Sequence, residues 1–123
     1  MANLANWPNG GEIDILEGVN TQSVNHYAFH VGGQCTQSGE HQSGIVDTTD
    51  CNVYSNYNSG CGGWATSTDT YGWGNPGGVY AMDWRKAGIR IWYFPPDQIP
   101  QDIINGKPTT SGWGTVTSIS RLN

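Results

Sequence analysis

Apolar and polar residues alternate with a period of two in several short runs, the mark of strands with one buried face. Residues 12–19 open the series, with Ile13 and Ile15 set between Glu12 and Asp14. In 25–31, Tyr27, Phe29 and Val31 alternate with His26, Ala28 and His30. A third run, 78–84, places Tyr80, Met82 and Trp84 on one side. A fourth, 88–94, separates Ile89, Ile91 and Tyr93 from Arg90, Trp92 and Phe94. Residues 113–119 offer a fifth strand. Asn9-Gly10-Gly11, Lys86-Ala87-Gly88 and Pro95-Pro96-Asp97 supply the turns. Residues 32–77 show no convincing period and read as a long loop region, of a length that in compact domains is usually functional or covalently tied. The pattern predicts an all-β protein, an antiparallel β-sandwich rather than a barrel.

One run breaks its own alternation. In Gly11-Glu12-Ile13-Asp14-Ile15-Leu16-Glu17-Gly18, Glu12 and Asp14 share a face, but Glu17 lies an odd step from both. A regular strand would turn Glu17 into the core, where an unpaired carboxylate is costly. One extra residue bulged out near Ile15-Leu16 restores it to the acidic face. The spacing therefore predicts a β-bulge and three carboxylates along one face. Three readings are open. The trio is a solvated strand face, a calcium site that lacks the D-x-[DN]-x-[DN]-G loop, or a catalytic pair. Crowded carboxylates split their protonation states, so one is left as acid and another as base or nucleophile, which is what glycoside hydrolysis requires.

Composition narrows the class. The chain has 123 residues, a single domain at most, with 18 glycines, six prolines and two lysines, which argues against a helix bundle. There is no G-X-Y period and hence no collagen. Six tryptophans and six tyrosines argue against disorder. The net charge is −5 and the five Lys and Arg are scattered, so no nucleic-acid surface is expected. No apolar run is long enough to span a membrane. Cys35, Cys51 and Cys61 are an odd set. A structural disulfide is favoured over zinc, because no CxxC pair is present and His41 is the only imidazole nearby. Which two pair stays open. Nothing in 1–9 reads as a signal peptide, and no N-x-[ST] acceptor occurs.

Glu12-Ile13-Asp14-Ile15-Leu16-Glu17 matches the E-x-D-x-x-E signature of glycoside hydrolase family 16. The flanks Trp7-Pro8-Asn9-Gly10-Gly11 and Gly18-Val19-Asn20 resemble its fungal laminarinase-type endo-1,3(4)-β-glucanases. So do Ala28-Phe29-His30, the three cysteines, Tyr80-Ala81-Met82, Ile91-Trp92-Tyr93-Phe94-Pro95 and Ile99-Pro100-Gln101-Asp102-Ile103.

The resemblance implies a concanavalin-like jelly roll whose curved sheet lines a glucan cleft. It implies retaining endo-hydrolysis of β-1,3(4)-glucan, with Glu12 as nucleophile, Glu17 as general acid/base and Asp14 as the carboxylate that tunes them. His30 matches a histidine that reaches the catalytic face, and Trp7 an aromatic beside the cleft that can stack a sugar ring. Trp73, in Tyr71-Gly72-Trp73-Gly74, is a second stacking candidate without a family match. His26 and His41 read as structural. No cofactor or metal is implied. The partner is the polysaccharide, the protein is expected to act as a monomer, and the setting is extracellular by family. Catalytic domains of this family are longer, so 1–123 is expected to be the central part of one, with 115–123 an atypical tail. Two other readings stand beside it: a non-catalytic β-glucan-binding module built on the aromatics, and a poorly folded remnant.

Overall fold

The computed structural model describes residues 4–66 and 77–120. Among them, seven strands form two antiparallel sheets. The first sheet has the order β1-β2-β4-β3, from β1 (Glu12–Glu17), β2 (His26–His30), β3 (Ile45–Thr48) and β4 (Cys61–Trp64). The second runs β5-β6-β7, from β5 (Val79–Arg85), β6 (Gly88–Phe94) and β7 (Ser118–Ser120). One short helix, α1 (Gln101–Ile104), interrupts the strands. No helix among the described residues is long and apolar enough to cross a membrane.

Alternation explains how the sheets meet. Tyr27 and Phe29 of β2 point away from the acidic face and are buried with Ile89 and Ile91 of β6, so the two sheets share one core. Ile13 and Ile15 pack against it from β1. β6 is buried on its other face too. Trp92 and Phe94 are covered there by Val116, Ile99 and Ile103, and by Trp113, which meets both rings edge-on. This is the sandwich that the alternation predicts, with the apolar faces turned inward.

Residues 32–66, the described part of the expected loop region, are more ordered than their sequence suggests, since β3 and β4 lie within them. β4 reads Cys61-Gly62-Gly63-Trp64, and glycines carry no hydrophobic period. They are there for closeness. A Cβ on Gly62 would stand 2.0 Å from the Tyr27 carbonyl oxygen, and one on Gly63 would stand 2.4 Å from that of Ile45. Cys51 and Cys61 form the disulfide and are fully buried. Cys35 is a buried thiol whose Sγ lies 3.8 Å from Ser120 Oγ.

Two further expectations are corrected. The first strand stops at Glu17 rather than running to 19. The fifth strand is Ser118–Ser120, not 113–119. Trp113 instead closes a 3-10 turn, Thr110–Gly112, and its indole N–H donates to the Asp102 carboxylate at 3.0 and 3.2 Å. The segment leading into β7 is tied in as well. Ser43 and Gly44 donate to the carbonyls of Val116 and Thr117, and Thr117 donates to that of Ile91.

Candidate active site

The site is built on the register between β1 and β2. Glu12 faces His30, Ile13 faces Phe29, Asp14 faces Ala28 and Glu17 faces His26. From Asp14 to Glu17 is three steps along β1, but from Ala28 to His26 is two along β2. One extra residue therefore sits in β1, and the bulge that the acidic spacing predicts is present. Ile15 still packs inward, Leu16 swings half out to solvent, and Glu17 returns to the face of Glu12 and Asp14. Directly paired residues of neighbouring strands share a face. The acidic face thus carries His30, Ala28 and His26 as well. Because His26 pairs with Trp64, it carries the β4 tryptophan too.

Each carboxylate has its own partner. The indole N–H of Trp7 donates to Glu12 Oε2 at 2.8 Å. Asp14 Oδ2 lies 3.3 Å from His30 Nε2. Glu17 Oε2 lies 3.0 Å from His26 Nδ1, and His26 Nε2 lies 3.7 Å from Asp47. His30 Nδ1 is buried and meets no hydrogen-bond partner among the described residues, so its Nε2, facing Asp14, is where a proton is held. The imidazole of His30 is pushed above its ordinary value of 6.5, chiefly by the hydrogen bond to Asp14. Burial opposes this, and the negative charges of Asp14, Glu12 and Glu17 add to the rise.

The backbone around Glu17 is held by side chains of the 22–25 segment. Gln22 Nε2 donates to the Glu17 carbonyl at 2.9 Å and to that of Val24 at 2.8 Å. Asn25 meets both the Glu17 N–H and the Ile15 carbonyl. Beside Glu17, an open groove is lined by Leu16, Val19, His26, Asp47 and Trp64.

Of the residues singled out in the sequence, Glu12, Asp14, Glu17, His30 and Trp7 come together on or beside this one face. Trp73 lies outside the described residues. His26, read as structural, touches Glu17 directly. The signal for it was available, since His26 and His30 are four apart on one strand and so share a face. Trp64 was not singled out. It is 40% exposed, and its ring centroid lies 4.7 Å from that of His26. Its place on the acidic face follows only from a pairing that the glycines of β4 conceal. Among the described residues, no group of three His, Cys, Asp or Glu side chains is arranged to hold a metal ion.

Residues 1–120 match the family model described as XgeA-like, catalytic GH16 domain. A probable endo-1,3(4)-beta-glucanase of Aspergillus fumigatus is 43% identical over 114 residues, which are 89% of this chain and 17% of the relative. A probable glycosidase of Schizosaccharomyces pombe is 41% identical over 114 residues, 87% of this chain and 27% of the relative. The chain thus spans about a sixth to a quarter of the length of these curated relatives. Among solved structures, an elongating GH family 16 beta-1,3-glucosyltransferase superposes with a TM-score of 0.87 at 37% identity, over 96% of this chain and 40% of that one. Laminarinase 16A from Phanerochaete chrysosporium, solved with 6-O-glucosyl-laminaritriose in both donor and acceptor sites, gives a TM-score of 0.87 at 38% identity. The match covers 95% of this chain and 42% of the laminarinase.

Proposed function

The chain belongs to glycoside hydrolase family 16, and from that membership we propose that it carries the catalytic strand of a retaining β-1,3(4)-glucan endohydrolase. The observation that carries this reading is the bulge, which sets Glu12, Asp14 and Glu17 on one face of β1. Glu17 in its acid form protonates the glycosidic oxygen as the bond to it breaks. Glu12 as carboxylate attacks the anomeric carbon from the opposite side and forms a glycosyl ester. Glu17, now a carboxylate, takes a proton from water as that water attacks the same carbon, and Glu12 is released. Two inversions leave the configuration unchanged.

The partners support this division of roles. Trp7 donates to Glu12, which suits a group that must be ionised when it attacks. Asp14 is committed to His30 and lies between the two glutamates along the strand, where it orients rather than reacts. Glu17 sits beside an open groove with an exposed tryptophan, Trp64, suited to stacking a sugar ring. The glucan named in the laminarinase structure supports a glucan partner here, and the fungal endoglucanase relatives support an extracellular setting.

A second acceptor is also supported. One structural neighbour is a glucosyltransferase. A glycosyl ester on Glu12 can be taken by a sugar hydroxyl as well as by water, with Glu17 as the base in either case.

The test is the rate at which the chain releases reducing ends from laminarin. Glu12→Gln is expected to reduce it by more than about a hundredfold. An unchanged rate overturns the assignment of the nucleophile. Laminarin bound by the chain but never shortened would favour a binding module instead.

A further inference from the structure

We propose that Asn25 is a positioning residue for Glu17, fixing the bulge at Leu16 and so aiming the acid/base carboxyl. This inference rests on the role proposed above for Glu17.

A bulge breaks the ladder and strands backbone donors and acceptors that a regular strand would pair. It is also a place where register can slip. A slip of one residue would send Glu17 to the apolar side. The Asn25 side chain answers both problems. It is 0% exposed, so its amide must be satisfied within the fold. Its Oδ1 accepts from the Glu17 N–H at 2.9 Å, and its Nδ2 donates to the Ile15 carbonyl at 2.9 Å. One neighbour offers only a donor and the other only an acceptor, so the amide has a single orientation that satisfies both. Ile15 and Glu17 flank Leu16. Both groups reach one amide when Leu16 is the extra residue.

Asn25 is itself anchored. Its carbonyl accepts from the N–H of Ala65, just beyond β4, at 2.9 Å. Glu17 is then held at three points, its N–H by Asn25, its carbonyl by Gln22 and its carboxylate by His26. All three partners come from the five residues 22–26. Misplacing a proton donor by about 1 Å can slow its delivery to a leaving oxygen about a hundredfold. A buried amide bonded on both sides of the bulge provides that order of precision, and the half-exposed Leu16 beside it does not.

Two measurements on the full chain decide the matter. The first is hydrogen exchange at the Glu17 amide. In Asn25→Ala, protection there is expected to fall at least about tenfold while the β6 amides keep theirs. Unchanged protection at Glu17 overturns the proposal. The second compares a laminari-oligosaccharide with 2,4-dinitrophenyl β-laminaribioside, whose leaving group departs without a proton. Asn25→Ala is expected to lower kcat on the oligosaccharide about a hundredfold and to slow bond breaking in the aryl substrate far less. Equal losses on both substrates would mean a general loss of structure and overturn the proposal.

Asn25→Asp keeps the acceptor for Glu17 and loses the donor to Ile15. It is expected to show the same pattern as Asn25→Ala, with protection lost at Glu17 and the oligosaccharide slowed more than the aryl substrate, and it carries the test alone if the alanine variant does not fold. If Glu17→Ala cleaves the oligosaccharide as fast as wild type, or if wild type cleaves neither substrate, the catalytic reading fails. The exchange result then judges the clamp by itself.

Discussion

The indole of Trp7 donates its N–H to Oε2 of Glu12, 2.8 Å away and five residues along the chain. Trp7 was expected as a stacking platform, and its ring edge is engaged with the candidate nucleophile. The two duties separate in a Phe variant, which keeps a ring face and loses the donor. A charge-assisted hydrogen bond contributes about 1.5–3 kcal/mol. Trp7→Phe is therefore expected to lower kcat on laminari-oligosaccharides by roughly tenfold or more, with little change in KM. An effect confined to KM would mean that stacking is the only role of this tryptophan.

His30 makes the site pH-dependent. Its folded pKa is raised above 6.5, first by the hydrogen bond to Asp14. A raised pKa means that the protonated imidazole is favoured by the fold. The stabilisation is fully present below 6.5, the unfolded value, and is lost as pH rises through the higher folded value. Urea denaturation of wild type and His30→Gln is expected to show a difference that shrinks as pH climbs from about 5.5 to about 8. Asp14→Asn is expected to bring the imidazole titration, followed by NMR, back down. A His30 that titrates no higher in wild type than in Asp14→Asn would contradict the pairing.

The disulfide steadies the wall behind this histidine. Cys51 and Cys61 are ten residues apart. Between them and β2 lies Gly60, at φ 66°, where an added Cβ would stand 2.7 Å from His30 Nδ1 and 2.6 Å from the Phe29 carbonyl oxygen. Closing a loop of this size is worth about 2–3 kcal/mol. The double variant Cys51→Ala/Cys61→Ala is expected to lose about that much stability in urea titrations. No loss would show that the segment is held by its backbone hydrogen bonds alone.

Gly62 is a sharper test of the first sheet. Its side-chain position is occupied by backbone of β2, which cannot move aside as a flexible side chain would. Gly62→Ala is expected to cost about 3 kcal/mol or more by forcing β2 and β4 apart. Gly33→Ala, where nothing lies within 4 Å of the added Cβ, is the matched control and is expected to be nearly neutral. Similar losses in both variants would contradict the close approach of β2 and β4.

Much of this was legible in the sequence. The bulge was legible because a glutamate at the wrong parity has a physical cost that an extra residue removes. β6 was legible because its two faces are both apolar. β3 and β4 were not, because one is four residues long and the other is half glycine. Trp113 looked like a strand residue because it is large and aromatic, but its N–H found Asp102 and its ring found Trp92 and Phe94. β7 formed instead from Ser118-Ile119-Ser120, whose serines are buried against expectation. Trp64 and Asn25 share one cause. Their importance depends on what lies across from them, and only the register of β1, β2 and β4 decides that. Asn25 reads as the first residue of the run 25–31, and nothing in that run shows that its amide spans a bulge in the neighbouring strand.

The division of labour between Glu12 and Glu17 is most directly tested by trapping the glycosyl ester. A 2-deoxy-2-fluoro-laminaribiosyl fluoride forms the ester without needing an acid and hydrolyses slowly, so the adduct persists for peptide mass spectrometry. The adduct is predicted on Glu12. An adduct on Glu17, or none at all while laminarin is cleaved, would contradict the account.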